Sequence, residues 1–404
     1  MRFQQEQLLR SSRLSPRPPM TPPIRWHLIT GEYPPQPGGV SDYSRVVARG
    51  LAAAGDTVHV YTPAVAQVDP CDKCVTIHRL AGGFGRRGLA RLSRLIDRRA
   101  DDRLLVQYVP HAFGFKAMNV PFCLWLHAHA RKNGGVTVMF HEVQLGVLPG
   151  DPMRYRVIDA VTRVMAMFAA RSASRVFVST PVWESHLRRY IPGNRPIVWM
   201  PVPSTIAVIS DRARVDAARR RWEHTGRAVI GHFGTYTPAI AVMLRAIISR
   251  VLATDSSAGI LLIGANSSAF RDAFVSENPT LAARISATGM LPDDELSLAI
   301  SSCDLMMQPY PDGVSSRRTT MMAALDHARA IVTTAGAFTE PLWKQSGATA
   351  MVPAEDSAAF ADAVIELSAD TGRRSRYGAA AKDLYLSRFD VRHTIEALRA
   401  PACA

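Results

Sequence analysis

Short apolar runs alternate with helical stretches along most of the chain. In the first half the runs are too short for buried helices, and they are separated by segments with helical periodicity. Short apolar runs with intervening helices are typical of parallel strands covered on both faces. The pattern therefore predicts a doubly wound α/β sheet. Its predicted strands are Trp26–Thr30, Thr57–Tyr61, Val75–Leu80, Leu104–Tyr108, Val136–Phe140, Arg175–Ser179 and Ile197–Met200.

The strand series stops at an arginine-rich stretch and then resumes. We predict an N-terminal Rossmann-like domain over 24–205, a linker over 206–227 and a C-terminal Rossmann-like domain over 228–384. A C-terminal helix over 385–404 is expected to pack back on the N-terminal domain, and residues 1–23 are expected to form a disordered tail. Ligands bind at the carboxyl ends of the strands in such sheets, so we expect the site in a central cleft between two facing domains. The second series consists of Ala228–Phe233, Gly259–Ile263, Ser302–Gln308, Ala330–Thr334 and Ala348–Val352.

Composition narrows the class of partner. The chain has 404 residues and a formal charge of +14, which favours anionic ligands such as nucleotides or phospholipid head groups. Nucleic acid is not expected, because the arginines are dispersed and no basic strip carries interleaved aromatic residues. No segment resembles a signal peptide or a membrane span, so we expect a cytoplasmic protein. Cys71 and Cys74 form a lone CxxC, and neither a metal nor a cofactor is expected.

The segment Tyr310–Leu325 carries the strongest chemical signal. It reads as a polar loop between a strand and a helix, with Ser315 or Ser316 as the helix cap. Arg317 and Arg318 stand beside a helix N-terminus, an arrangement that binds phosphate. The carboxylate of Asp312 suits hydrogen bonds from hydroxyl groups. The combination favours a sugar phosphate or a nucleotide sugar, and an ordinary strand–loop–helix connection with solvated arginines remains the alternative.

Further loops follow predicted strands and would open onto the same cleft. A Gly-Gly pair precedes the first helix, and Asp42 in its first turn is better explained by the helix dipole than by catalysis. His141 follows a strand directly and can hydrogen-bond a substrate, with His111 as a weaker candidate. Glu340 either caps a short helix or binds ribose hydroxyls. The loops concerned contain Gly38, Gly39, His141, Gly234, Thr235, Gly264 and Glu340.

A basic helix is expected after the Gly83–Gly88 segment. That segment matches GxGxxG, but no acidic residue for a ribose ends the next strand, so dinucleotide binding is disfavoured. Leu89 and Leu92 lie on one face of the predicted helix, and Arg91 and Arg94 lie around it. A solvated basic face and attraction to an anionic membrane surface are the two interpretations.

Taken together, these loops resemble the two-domain GT-B retaining glycosyltransferases, especially glycosyltransferase family 4. The similarity runs in order from about Trp26 to about Phe389. Its motifs are Glu32-Tyr33-Pro34-Pro35 through Gly38-Gly39-Val40, Phe140-His141-Glu142, Thr288-Gly289-Met290-Leu291-Pro292, Cys303-Asp304 through Pro309, and Thr333-Thr334-Ala335-Gly336 through Glu340.

The resemblance implies transfer of a sugar from a nucleoside diphosphate sugar to a glycan or lipid-linked acceptor. It also implies retention of configuration without a metal, with the acceptor in the N-terminal domain and the donor in the C-terminal domain. A location at the inner face of the membrane suits such an acceptor. The implied catalytic residues are His141, Asp312 and Arg317; the donor-binding residues are Gly234, Thr235, Gly264, Gly313, Val314, Ser315, Ser316, Arg318, Thr319, Thr320 and Glu340; the acceptor-side residues are Gly38, Gly39 and Asp42.

Two motifs depart from the family pattern. The paired glutamates of the family's donor site correspond to Asp312 and Thr320, and a threonine cannot replace a carboxylate on a ribose diol. Thr235-Tyr236-Thr237-Pro238 stands where the family has an arginine and a lysine for the diphosphate. A catalytically degenerate nucleotide-sugar-binding protein and a GT-B sugar-nucleotide epimerase are the alternative functions.

Overall fold

The computed structural model of the chain describes residues 22–66, 74–96, 101–146, 150, 152–222 and 228–401. Nearly all of the expected tail, the last five linker residues and Cys71 of the CxxC lie outside this part of the chain. Within it, no helix is long and apolar enough to cross a bilayer.

The N-terminal domain is built on a seven-stranded sheet in the order β3-β2-β1-β4-β5-β6-β7, and every pair is parallel. The strands are β1 (Arg25–Thr30), β2 (Thr57–Pro63), β3 (Thr76–Leu80), β4 (Arg103–Tyr108), β5 (Val136–Phe140), β6 (Ala173–Val178) and β7 (Ile197–Trp199). The helices are α1 (Gly39–Ala53), α2 (Arg86–Leu95), α3 (Val120–Asn133), α4 (Met153–Ser172) and α5 (Val182–Arg188), with short 3₁₀ turns at Pro110–Phe113 and Phe115–Ala117.

The C-terminal domain holds a six-stranded parallel sheet in the order β10-β9-β8-β11-β12-β13. The strands are β8 (Val229–Phe233), β9 (Gly259–Ile263), β10 (Ile285–Ala287), β11 (Leu305–Gln308), β12 (Ala330–Ala335) and β13 (Ala350–Pro353). The helices are α6 (Arg212–Trp222), α7 (Pro238–Thr254), α8 (Ser267–Glu277), α9 (Asp293–Ser301), α10 (Thr319–Asp326), α11 (Pro341–Ser346), α12 (Ser357–Ala369), α13 (Thr371–Leu384) and α14 (Val391–Arg399).

The predicted fold class is confirmed: two doubly wound parallel sheets form a GT-B architecture. Successive side chains of a strand point to opposite faces of the sheet, so each strand contributes apolar side chains to the helix layers on both sides. In β1, Leu28 packs into the cluster on one face, and Ile29 packs with Val106 on the other. Fully burying one such side chain contributes roughly 1.5–3 kcal/mol. Both faces of the sheets are therefore apolar, which is what the continuous runs in the sequence indicate.

The end of the chain lies against the N-terminal domain. Helix α14 packs on α1, where Gly50 leaves room for Ile395: a Cβ at Gly50 would lie 2.8 Å from the Ile395 Cδ1. The Arg399 guanidinium lies 3.2 Å from the Asp56 carboxylate. Arg103 and Arg175 both donate to the carbonyl oxygen of Leu398, at 2.6 and 2.8 Å. Because α13 belongs to the other domain, this return ties the two domains together.

Candidate functional site

The carboxyl ends of the two sheets face one another across a cleft. A cavity of about 350 Å³ lies there and is lined from both domains. Among the predicted site residues, six line this cavity: Gly38, Gly39, His141, Arg317, Arg318 and Thr319.

Asp312 and the two arginines form one ion-paired unit. The Asp312 carboxylate accepts a hydrogen bond from Arg317 Nη2 at 2.6 Å and another from Arg318 Nη2. The Arg317 guanidinium lies over the Phe338 ring, 4.7 Å from its centroid. Arg318 lies over the Tyr310 ring at 4.9 Å. Both oxygens of the Asp312 carboxylate, expected from the sequence to accept hydroxyl groups, therefore accept from the neighbouring guanidinium groups in this structure.

The loop that carries Asp312 depends on two glycines. Gly313 has φ +85°, a left-handed conformation that favours glycine. A Cβ there would lie 2.3 Å from the backbone nitrogen of Gly336, and one at Gly336 would lie 2.7 Å from the Asp312 carbonyl carbon. The Phe338 N–H donates to the Asp312 carbonyl at 2.9 Å. Close packing between the backbones of the loops after β11 and β12 therefore fixes the position of the loop that leads to Arg317 and Arg318.

The expected helix cap is wrong. Helix α10 begins at Thr319 with Arg318 at the cap position, and no side chain caps it. Ser315 and Ser316 are fully buried instead. Val314 is buried too, and its N–H donates to the Thr334 carbonyl at 2.8 Å. These three predicted donor-binding side chains therefore lie beneath the cavity wall, because the chain turns inward before the helix starts.

Ser316 and Glu340 form the centre of a buried polar cluster between the domains, which we call the interdomain cluster. Ser316 Oγ lies 2.6 Å from Glu340 Oε1 and 2.8 Å from the carbonyl oxygen of Ser179. The Ser316 N–H donates to the Glu340 carboxylate at 3.1 Å, and Thr180 Oγ1 donates to it at 2.8 Å. The Trp199 indole N–H donates to Ser316 Oγ at 3.0 Å. The cluster comprises Ser179, Thr180, Trp199, Ser316 and Glu340.

The interdomain cluster uses the carboxylate of Glu340, for which the sequence leaves helix capping and ribose binding open. The residue is 4% exposed, and its carboxylate also accepts from the Trp343 indole N–H at 2.7 Å. Four protein donor groups use its oxygens, so Glu340 joins the two domains. Thr320 is likewise engaged, because its hydroxyl lies 2.9 Å from the Tyr310 hydroxyl.

His141 stands where the sequence analysis expects it, directly after β5. Its Nε2 lies 2.8 Å from Gln107 Oε1, and its ring meets the Tyr43 ring edge-on at 4.7 Å. Burial lowers the pKa of His141 to about 4. The imidazole is therefore neutral near pH 7, and the bond to Gln107 makes Nε2 the donor and leaves Nδ1 as an acceptor.

The predicted glycine turns after β8 and β9 pack on each other. Gly264 has φ +112°, and a Cβ there would lie 2.7 Å from the Gly234 carbonyl oxygen. Gly234 and Gly264 are half-buried, Thr235 is exposed, and none of the three lines the cavity. Beneath this turn His232 is 1% exposed, and burial lowers its pKa to about 4.

The opposite wall contains residues that the sequence analysis did not assign. Glu32, Tyr43 and Glu142 line the cavity, together with the weaker candidate His111. His111 Nδ1 lies 3.4 Å from Glu142 Oε2, and this pairing raises the pKa of His111 and lowers that of Glu142. Glu32 follows β1 by two residues, a position at the carboxyl edge of the sheet that could have identified it.

Asp42 lies beside the cavity and not in its wall. It sits in the first turn of α1, where burial raises its pKa, and Arg45 Nη2 is 3.6 Å away. The same Arg45 group lies 3.0 Å from Asp293 of the C-terminal domain. Within the described ranges, no group of three or more His, Cys, Asp or Glu side chains could hold a metal ion.

Comparison with known proteins shows which family this chain resembles. Residues 38–203 match the model described as a glycosyl transferase 4-like domain, and residues 227–370 match glycosyl transferases group 1. Among solved structures, sucrose-phosphate synthase from Thermosynechococcus elongatus has a TM-score of 0.69 at 16% identity, covering 93% of this chain and 97% of that one. HepE from Anabaena, in complex with UDP and glucose, has a TM-score of 0.66 at 13% identity, covering 93% and 98%.

WaaG, a glycosyltransferase involved in lipopolysaccharide biosynthesis, has a TM-score of 0.65 at 12% identity, covering 93% of this chain and 100% of that chain. No curated protein matches the sequence. Two facing parallel sheets with a shared cleft and these two domain matches define a GT-B glycosyltransferase. The chain belongs to the family 4-like glycosyltransferases, as a divergent member.

Proposed function

We propose that the protein transfers a hexose from a UDP-sugar to a hydroxyl group of a glycan or lipid-linked acceptor, with retention of configuration and without a metal. The observation that carries this proposal is the single cavity lined by Arg317 and Arg318 from one domain and by His141 from the other. The structure of HepE, which holds UDP and glucose, supports UDP as the carrier.

The arginine pair suits a leaving diphosphate. Two guanidinium groups give charge-assisted hydrogen bonds to phosphate oxygens, and they act most strongly in a site that excludes water. Both arginines are held by stacking on Phe338 and Tyr310, so little reorientation is needed. When the diphosphate takes the guanidinium groups, Asp312 is released to accept hydroxyl groups of the transferred sugar. A phosphate oxygen of the donor takes the acceptor proton in this scheme.

His141 orients the donor sugar. Its neutral imidazole is fixed by Gln107 and Tyr43, and the remaining nitrogen can accept a hydrogen bond from a sugar hydroxyl. A cationic imidazole would add charge next to the arginines, and the low pKa of His141 prevents this near pH 7.

A lipid-linked acceptor is supported by the surface of the N-terminal domain. Helix α2 exposes Arg86, Arg87, Arg91 and Arg94, and Phe115 beside its start is 62% exposed. Basic side chains next to exposed apolar ones favour an anionic membrane surface. The role of WaaG in lipopolysaccharide biosynthesis supports the same class of acceptor.

Vesicle sedimentation tests this membrane proposal. The protein should sediment with phosphatidylserine-containing vesicles at low salt and be released at high salt. R87E/R91E should lose this binding, whereas R250E, on the C-terminal domain, should keep it. Equal binding of the two variants, or no binding by the wild type, contradicts the membrane proposal.

A nucleotide-sugar-binding protein without transfer is the second candidate. Thr320 bonds to Tyr310 where the family has a carboxylate, and Thr235–Pro238 offers no cation near the start of α7. Tight binding of UDP-sugars without release of UDP, in the presence of acceptors, would select this candidate.

A thermal-shift screen tests the donor site. UDP, GDP, ADP, TDP and their sugars are compared on the wild type, on Arg317→Ala and on Arg250→Ala. A ligand at 100 times its Kd should add about 2.7 kcal/mol of stability. We expect UDP and UDP-hexose to raise the melting temperature of the wild type and of Arg250→Ala but not that of Arg317→Ala. Arg250 serves as the control because it also pairs with a carboxylate, but on the outer surface. No shift with any nucleotide contradicts the proposal.

A further inference from the structure

The two walls of the cleft differ in charge. Among the described residues that line the cavity, those of the N-terminal domain include the carboxylates Glu32 and Glu142 and no lysine or arginine. Of the two histidines on this wall, His111 is paired with Glu142 at 3.4 Å and His141 is neutral near pH 7, because burial lowers the pKa of His141 to about 4. Both arginines of the cavity come from the C-terminal domain. An acceptor that lies on the N-terminal wall therefore faces negative charge.

The N-terminus of α1 is the place on this wall where a phosphate would bind, because free backbone N–H groups gather there. Burial raises the pKa of Glu32, and the backbone N–H groups of Val40 and Ser41 act in the opposite direction, as expected for groups that face the carboxylate. Gly38 makes this approach possible, since a Cβ there would lie 2.8 Å from Glu32 Oε1. Asp42 adds a second carboxylate in the first turn. Carboxylates of the protein itself therefore lie where a phosphate would otherwise bind.

Tyr43 supplies an unused hydroxyl group at the same wall. It lines the cavity, is 1% exposed, and its hydroxyl has no hydrogen-bond partner within the described part of the chain. Burial raises its pKa, so the group stays neutral. A neutral phenol can donate to one sugar hydroxyl and accept from another, and the carboxylates beside it accept from hydroxyl or ammonium groups.

We propose that the acceptor ring seated in this cleft is a polyol without phosphate, either a neutral sugar or an amino sugar, held by Glu32, Tyr43 and Glu142. A phosphate on that ring would meet two carboxylates, and both cavity arginines serve the donor. The role of the ring as acceptor and the role of both arginines toward the donor rest on the proposed function.

Calorimetric titration with matched sugars tests the acceptor class. Glucose, glucosamine and mannose are compared with glucose 6-phosphate and mannose 6-phosphate, each with and without UDP. We expect each unphosphorylated sugar to bind at least about tenfold more tightly than its phosphate, a difference of roughly 1.4 kcal/mol. Equal or tighter binding of the phosphates overturns the inference, as does no binding of any unphosphorylated sugar. Failure of UDP to bind overturns the proposed donor alone, because the titrations without UDP remain readable.

Three variants and a control locate the recognition. Glu142→Gln and Tyr43→Phe should each weaken binding of the unphosphorylated sugar about tenfold and leave UDP affinity unchanged. Glu142→Arg should reverse the preference toward the phosphate. Glu277→Gln, which breaks a surface ion pair with Arg245, should change neither affinity. Unchanged sugar affinity in both Glu142→Gln and Tyr43→Phe contradicts the assignment.

Discussion

At the residue scale, the site is defined by pairs whose partners lie far apart in sequence. The sequence places Arg317 and His141 at strand ends, and a parallel fold brings such ends to one edge. It does not show that Asp312 pairs with both arginines, or that Glu340 meets Thr180 across the domains. Those pairings depend on loop paths and domain contact, which local patterns do not encode.

Asp312 pairs with both arginines, so removing its charge should free them. We expect Asp312→Asn to tighten UDP binding by roughly 3–10-fold, because the two partly exposed ion pairs are each worth up to about 1 kcal/mol. The same variant should transfer more slowly, since the sugar loses a carboxylate acceptor. Titration calorimetry and UDP-release rates measure the two effects. Weaker UDP binding in Asp312→Asn would show that Asp312 does not compete with the diphosphate.

Buried histidines set the response to acid. Burial lowers the pKa of His327 to about 4, and the ring bonds Ser297 and the Ala323 carbonyl while Arg329 and Lys382 face it. In the unfolded chain the imidazole takes up a proton near pH 6.5, whereas in the folded protein it stays neutral down to about pH 4. The contribution of neutral His327 to the unfolding free energy is therefore present above pH 6.5 and is lost as the pH falls toward 4. His327→Asn should flatten the fall in unfolding free energy between pH 7 and 4 by about 1–3 kcal/mol.

His111 provides the control of opposite sign. Its pKa is raised by Glu142, so its stability is present below pH 6.5 and is lost as the pH rises. His111→Asn should therefore cost more stability at pH 6 than at pH 8. Urea unfolding across this range measures both variants, and equal pH profiles for His327→Asn and the wild type would contradict the assignment.

At the element scale, long apolar runs are predictable and short or inward-turning segments are not. Strand β5 has the predicted bounds, because all five of its residues are buried. Strand β10 was missed, since it has only three residues and Ser286 interrupts its apolar character. The start of α10 was placed too early because serine is a favourable capping residue, yet Ser315 and Ser316 are buried before the helix begins.

The loop after β11 is the element on which the arginines depend. Gly313→Ala forces a left-handed alanine and a Cβ 2.3 Å from the Gly336 nitrogen, so we expect a loss of about 3 kcal/mol or more. Gly55→Ala is the matched control: its φ is +91° and nothing lies within 4 Å, so it should lose only about 1 kcal/mol. Equal losses in the two variants, measured by urea unfolding, would show that close packing at Gly313 does not matter.

At the scale of the whole molecule, the interdomain cluster determines how the two sheets meet. Glu340→Gln presents an amide N–H₂ to a carboxylate site surrounded by donors, so at least one buried donor loses its acceptor. We expect a loss of about 2–4 kcal/mol of unfolding free energy. Glu184→Gln, which breaks a surface pair with Arg188, should change it by less than about 0.5 kcal/mol. If Glu340→Gln lost no more unfolding free energy than Glu184→Gln, the role of the interdomain cluster would be contradicted.

The central claim is that the Arg317–Arg318 pair exchanges Asp312 for the diphosphate of the donor. A crystal structure of the protein with UDP tests it most directly through the distance from Arg317 Nη2 to Asp312 Oδ2, which is 2.6 Å in the present structure. We predict that this distance opens beyond hydrogen-bond range while both guanidinium groups contact phosphate oxygens in the cleft. UDP bound elsewhere, or bound in the cleft with the Asp312 pairs intact, would contradict the account.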